Sequence, residues 1–124
     1  MINNKPRILI VDDAEFTRKL IAQILKEELG ITDILEAEDG LQALEIFKKE
    51  NPNIILLDII MPKLNGIEFL KKIDASKVNV ILISAITQSK IQEETKKLGA
   101  KAYLVKPFAP EEVIGAVKKF LPVI

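Results

Sequence analysis

Five short apolar runs punctuate the chain, and each is followed by a stretch whose apolar residues recur at helical spacing. The runs are Arg7-Ile8-Leu9-Ile10-Val11, Ile34-Leu35-Glu36-Ala37, Asn53-Ile54-Ile55-Leu56-Leu57-Asp58, Val78 to Ser84 and Lys101-Ala102-Tyr103-Leu104-Val105. Runs this short and this apolar predict strands covered on both faces, as in the middle of a parallel sheet. The second run is less apolar and predicts a sheet edge. The third ends in a single carboxylate, Asp58, and is followed by the turn-rich Met61-Pro62-Lys63-Leu64-Asn65-Gly66.

Between the runs the period changes. Phe16, Leu20, Ile21, Ile24 and Leu25 are spaced for one face of a helix that stops near Gly30. Asp39 can cap a second helix, with Gln42 as its reciprocal partner; Leu41, Leu44 and Phe47 form its apolar stripe, and Asn51-Pro52 ends it. Asn65 and Glu68 repeat the capping spacing before Ile67, Phe69, Leu70 and Ile73. The fourth helix, about Gln88 to Leu98, has few apolar positions, mainly Ile91 and Leu98, and should pack weakly and move easily. In the fifth, Pro110 starts the helix with Glu111 and Glu112 in its first turn, and Val113, Val117 and Leu121 form the stripe that closes near Pro122.

Strands alternating with helices, without repeats, linkers or low-complexity segments, predict an α/β fold with helices on both faces of a parallel sheet. Right-handed crossovers make a five-stranded doubly wound sheet the leading topology. With 124 residues, a single domain over 1–124 is expected. Eighteen basic residues balance eighteen acidic ones, which removes the electrostatic case for nucleic acid or an anionic membrane as main partner. The chain has neither cysteine nor histidine, so thiol chemistry, histidine metal sites and catalytic triads are excluded. A start without the apolar core of a signal peptide, and the lack of any run of membrane-spanning length, lead us to expect a soluble cytoplasmic domain.

Chemistry collects at the strand ends. The first strand ends in Asp12-Asp13, the third in Asp58, the fourth in Ser84 and the fifth in Lys106. In a parallel sheet these ends share one edge, where open α/β sheets bind ligands. Singly, each has a plainer reading: a cap, a turn residue, a solvated charge. All of them together favour one shallow site of three carboxylates, a hydroxyl and an ammonium. Its formal charge is minus two, and close carboxylates repel unless a cation joins them. An all-oxygen donor set favours magnesium, or manganese in its place, over zinc or copper. Magnesium often takes phosphate oxygens as further ligands, yet neither glycine-rich nucleotide signature is present. A small phosphoryl group carried by another protein fits best, with one aspartate as acceptor.

Asp12-Asp13, Asp58 with Met61-Pro62 and Gly66, Ser84-Ala85 and Lys106-Pro107 together resemble the receiver domain of bacterial two-component response regulators, from Arg7 to Leu121. The resemblance implies a flavodoxin-like sheet of order 2-1-3-4-5 and a phosphorylatable Asp58 served by Lys106 and Ser84. It also implies magnesium held by Asp13, Asp58, the backbone carbonyl of Ile60 and, through water, Asp12. Ser84 and Tyr103 become switch residues acting on the face of the fourth helix, fifth strand and fifth helix, and the Lys106-Pro107 bond is expected to be cis. Ile60 and Ile86 occupy family positions that tune loss of the phosphoryl group; both are apolar here, and slow self-dephosphorylation is expected.

The expected partners are a sensor histidine kinase or phosphotransfer protein, and a downstream target such as a flagellar motor switch protein. A monomer or a phosphorylation-dependent dimer is expected, as a phosphoacceptor and not an enzyme of wider action. Asp12-Asp13-Ala14-Glu15-Phe16 and Tyr103 lean towards chemotaxis regulators, whereas Gly40-Leu41-Gln42-Ala43-Leu44 and the Val117 to Pro122 ending resemble phosphorelay intermediates as much. The receiver of a longer transcriptional regulator is a further alternative, although the ending after the fifth helix favours a stand-alone receiver. A magnesium-dependent phosphatase would call for Asp-x-Asp after the first strand, where this chain has adjacent aspartates.

Overall fold

The computed structural model describes residues 6–121. Its five strands are β1 (Ile8–Val11), β2 (Ile34–Ala37), β3 (Ile54–Leu57), β4 (Asn79–Ser84) and β5 (Ala102–Val105). They form one sheet in the order β2-β1-β3-β4-β5, and every pairing is parallel. The helices are α1 (Glu15–Leu29), α2 (Gly40–Glu50), α3 (Gly66–Lys72), α4 (Ser89–Lys97) and α5 (Pro110–Lys118), with a single 3₁₀ turn at Ala75–Lys77 before β4. This is the doubly wound, flavodoxin-like architecture.

The period-2 alternation of the strands splits the core into two layers. Leu9, Val11, Ile55, Leu57, Val80 and Leu82 point to one face, where Ala43 of α2 and Phe69 and Leu70 of α3 cover them. Ile8, Ile10, Ile54, Leu56, Ile81 and Ile83 point to the other, against Ile21 and Leu25 of α1 and Val113 and Val117 of α5. Burying each such aliphatic side chain contributes about 1.5–3 kcal/mol, so continuous apolar strands stabilise a sheet covered on both faces. β2 and β5, at the two edges, are half-buried along most of their length.

Local signals explain the helix ends. Gly30 closes α1 at φ 65, and Asn51 closes α2 at φ 49, both in the left-handed region. Asn65 and Glu68 form a complete capping box at α3. At α5 only half a box exists, because Ala109 has no side-chain acceptor; its N–H donates to Glu112 Oε1 at 2.8 Å.

Several expectations need correcting. Phe16 does not join the buried stripe of α1: it is 79% exposed, Leu20 also faces solvent, and burial begins at Ile21. Leu41 is likewise exposed, and small Ala43 is what α2 buries fully. Asp39 does cap α2, accepting from Gln42 N–H at 2.8 Å, but the Gln42 side chain answers to Glu38 N–H, one residue earlier than a reciprocal box requires. In α4 the buried residue is a polar one, Thr95, whose hydroxyl donates to the Gln92 carbonyl, while Ile91 and Leu98 are only half-buried. α5 ends at Lys118, so Leu121 lies beyond it, and Pro122 is outside the described residues.

Charge ties the edge strand β2 to its neighbouring helix. Glu36 accepts from Arg18 Nε at 2.9 Å and from Lys19 Nζ at 2.7 Å, which ties β2 to α1. Partial burial pushes the Glu36 carboxyl up, but the bonds from Lys19 and Arg18 outweigh this and hold it below its ordinary value. The stabilisation is therefore present above the unfolded-state value and is lost as pH falls through the lowered folded one. Glu36→Gln is expected to destabilise the protein by roughly 1 kcal/mol or less at pH 7, the range for a partly exposed pair. In urea titrations the gap between the two proteins should close as the pH falls below the ordinary glutamate range and through the lowered folded-state value.

Candidate functional site

The sheet brings the polar strand ends to one edge. Asp12 and Asp13 follow β1, Asp58 follows β3, Ser84 ends β4 and Lys106 follows β5. Because β1, β3 and β4 are adjacent and β5 flanks β4, residues far apart in the chain become neighbours. Lys106 Nζ donates to Asp12 Oδ2 at 2.7 Å and to Asp58 Oδ2 at 3.0 Å, bridging sequence separations of 94 and 48.

Asp12 and Asp58 are both buried, whereas Asp13 is exposed. One carboxylate oxygen from each of the three lies within 4.8 Å of the others. Three carboxylates against one ammonium leave an excess of negative charge, and all the donors are hard oxygens. The cluster fits a divalent cation of the magnesium or manganese kind.

The remaining bonds hold the carboxylates in orientation. Asp12 Oδ1 accepts from Ala14 N–H at 2.9 Å, and Asp58 Oδ1 accepts from Ile59 N–H at 2.7 Å. Burial dominates at Asp58 and pushes its carboxyl above the ordinary value; repulsion from Asp12 adds to this, and the bond from Lys106 only partly offsets it. At Lys106 burial pulls the ammonium down, but the bonds to Asp12 and Asp58 prevail and raise it. The two shifts are compatible: each carboxylate shares the ammonium, while the ammonium has both carboxylates.

The loop after Asp58 is packed tightly beneath it. A Cβ on Gly66 would collide with the Asp58 carbonyl, and Gly66 N–H donates to the Ile59 carbonyl at 2.9 Å. Gly40, at the start of α2, meets the Leu64 carbonyl equally closely and bonds to it at 3.1 Å, so the loop is held from both ends. Its Ile60 side chain stands out at the rim of the site, 60% exposed.

Ser84 is fully buried, and its Oγ accepts from Ile86 N–H at 3.2 Å. The Tyr103 hydroxyl donates to the Ile86 carbonyl at 2.7 Å, so Ser84 and Tyr103 grip one residue of the β4–α4 loop from opposite sides. The Ile86 side chain is half-buried against the α2–α3 layer of the core. The Lys106–Pro107 peptide bond is cis.

Two residues of this region escaped the strand-end argument. Arg18 donates from Nη1 to the Asp12 backbone carbonyl at 2.7 Å, and Glu36 holds the same guanidinium. Strand ends alone do not point to either. A charged residue inside the otherwise apolar Ile34–Ala37 run was the available signal.

The chain matches the response regulator receiver domain over residues 8–118 and belongs to that family. It is 40% identical to the chemotaxis protein CheY of Bacillus subtilis, over 93% of this chain and 97% of that one. It is 41% identical to the sporulation initiation phosphotransferase F of the same organism, over 98% and 97%. Among solved structures, the chemotaxis protein CheY4 of Vibrio cholerae superposes with a TM-score of 0.85 at 29% identity, covering 94% of this chain and 99% of that one. The CheX–CheY complex of Borrelia burgdorferi, solved with BeF3 and magnesium, gives 0.85 at 37% identity, covering 90% and 86%.

Two substitutions should act on stability in opposite directions. In metal-free buffer, Asp58→Asn relieves a buried charge beside Asp12 and is expected to stabilise the fold by about 1 kcal/mol. Lys106→Ala removes the shared partner of both carboxylates and is expected to destabilise it by about 2–4 kcal/mol. Urea denaturation of the two variants beside the parent checks both signs.

Proposed function

We propose that this protein is a phosphorylation-driven signalling receiver, with Asp58 accepting a phosphoryl group from a phosphohistidine on a histidine kinase or phosphotransfer protein. The observation that carries this reading is the bridging of Asp12 and Asp58 by Lys106, with Asp13 completing an oxygen cluster. A carboxylate oxygen of Asp58 attacks phosphorus as the bond to the donor imidazole nitrogen breaks, and the imidazole leaves. Asp13, Asp58, the Ile60 carbonyl and, through water, Asp12 would hold magnesium, which would supply neutralisation of charge on the transferring group. Lys106 orients Asp58 beforehand and then takes a phosphoryl oxygen as partner. The Ser84 hydroxyl donates to another oxygen once its loop draws in.

That movement is the signal. Ser84 and Tyr103 both hold Ile86, so a shift of Ser84 towards the phosphoryl group pulls on the residue to which Tyr103 is bonded. The consequence reaches the face formed by α4, β5 and α5, where a groove of about 750 Å³ runs beside Tyr103, Thr95 and Ala102. α4 buries only Thr95 and is the helix most easily displaced. Ile60 and Ile86 offer no polar group to orient an attacking water, which favours slow loss of the phosphoryl group.

Chemotaxis is the output we favour, with a motor switch protein as the kind of target, supported by relatives named CheY from Bacillus subtilis, Halobacterium salinarum and Thermotoga maritima. The second reading is a phosphorelay intermediate, and the match to the sporulation phosphotransferase across 98% of the chain supports it.

Incubation with magnesium and acetyl phosphate, followed by intact mass measurement, is expected to give one phosphoryl adduct that Asp58→Ala lacks. Continuous turnover without an adduct would instead indicate a hydrolase. Once labelled, Ile60→Asn and Ile86→Glu should each shorten the half-life severalfold when phosphate release is followed. Unchanged decay in both would remove the role assigned to those two side chains.

A further inference from the structure

We propose that Arg18 is a positioning residue for the acidic site, acting through the main chain between Asp12 and Asp13, and that Glu36 aims it. This rests on the reading that Asp12, Asp13 and Asp58 hold a divalent cation. Arg18 Nη1 donates to the Asp12 carbonyl at 2.7 Å while its Nε donates to Glu36 Oε1 at 2.9 Å. The Arg18 side chain is 11% exposed, so this is not a solvated surface charge. Lys19 holds the other oxygen of Glu36 at 2.7 Å, which leaves the carboxylate little freedom to turn away.

The Asp12 carbonyl belongs to the rigid peptide plane that joins Asp12 to Asp13, and the two carboxylates hang from its two ends. Fixing that plane fixes where both can point. The other groups of Asp12 are also engaged: its N–H donates to the Ala37 carbonyl at 3.1 Å, Oδ1 accepts from Ala14 N–H, and Oδ2 accepts from Lys106. The carbonyl is the group that Arg18 supplies for. Ala14 gives α1 no side-chain cap, so the junction between β1 and α1 depends on these bonds instead. The planar guanidinium reaches two acceptors at once, which a lysine ammonium at the same place does not reproduce.

Positioning and simple electrostatics predict opposite signs. Removing a cation beside three carboxylates would by Coulomb's law tighten the binding of a divalent cation. Releasing the peptide plane would weaken it, by about tenfold if Arg18 acts as outer partners of metal ligands usually do. Binding of Mn2+ to the full chain, followed from the electron paramagnetic resonance signal of the free ion, separates the two. The expected result is a Kd raised about tenfold in Arg18→Met and in Arg18→Lys and less in Glu36→Gln, with the double variant no weaker than Arg18→Met alone.

Arg7 provides the comparison for a merely structural arginine. It pairs with Asp33 at 3.0 Å and donates to the Glu50 carbonyl at 2.9 Å, at the start of β1 and away from the site. Arg7→Met should lower the thermal midpoint and leave the Mn2+ Kd unchanged. Should Arg18→Met not fold, Arg18→Lys carries the test. Unchanged or tighter binding in the Arg18 variants overturns the inference, as does equal weakening in Arg7→Met. Absence of Mn2+ binding by the parent protein overturns the cation reading together with it.

Discussion

Two carboxylates placed side by side and out of water repel each other, and the structure tolerates Asp12 and Asp58 in that arrangement only because Lys106 reaches both. The bridging ammonium comes from the far edge of the sheet, at the end of β5. Its position therefore depends on β4 being correctly paired between β3 and β5. Through one side chain, the state of the site and the integrity of the sheet become linked. One lysine leaves an excess of negative charge uncompensated, which is what makes the cluster fit a divalent cation.

The scaffold supplies rigidity where the site needs it and looseness where signalling needs it. β1 and β3 are fully buried and carry the three carboxylates on their ends. Beneath Asp58, two glycines let the loop and the start of α2 approach more closely than any side chain would permit. On the other side, β5 is half-buried and α4 buries one threonine, so little apolar area opposes their displacement. Tyr103 and Ser84 stand at this border and share Ile86. Both are bonded to that one residue, Ser84 through the Ile86 N–H and Tyr103 through the Ile86 carbonyl.

Much of this was legible in the chain because its signals are local. Apolar runs of four to six residues ending in Asp, Ser or Lys mark strands and their edge together, since parallel strands end on the same side. Gly30, Asn51 and the Asn65–Glu68 box announce helix ends through their own backbone and side-chain chemistry. The misreadings came where spacing was asked to report burial. Phe16 and Leu41 fit a helical stripe, yet each lies in the first turn of its helix, beyond the cover of the sheet. Thr95 shows the reverse: a polar residue is buried because its hydroxyl finds the Gln92 carbonyl within its own helix.

By itself the sequence determined the alternation of strands and helices, the two-faced burial of the central strands and the polar groups that would share one edge. These follow from periods of two and 3.6 and from backbone preferences that act over a few residues. Tertiary structure alone decided which lone pairs and protons meet: Lys106 with two carboxylates at once, Tyr103 with the Ile86 carbonyl, and Arg18 with the main chain of Asp12. Those pairings depend on sheet order, register and rotamer, which are settled by packing across the whole domain, not by any neighbourhood in the chain.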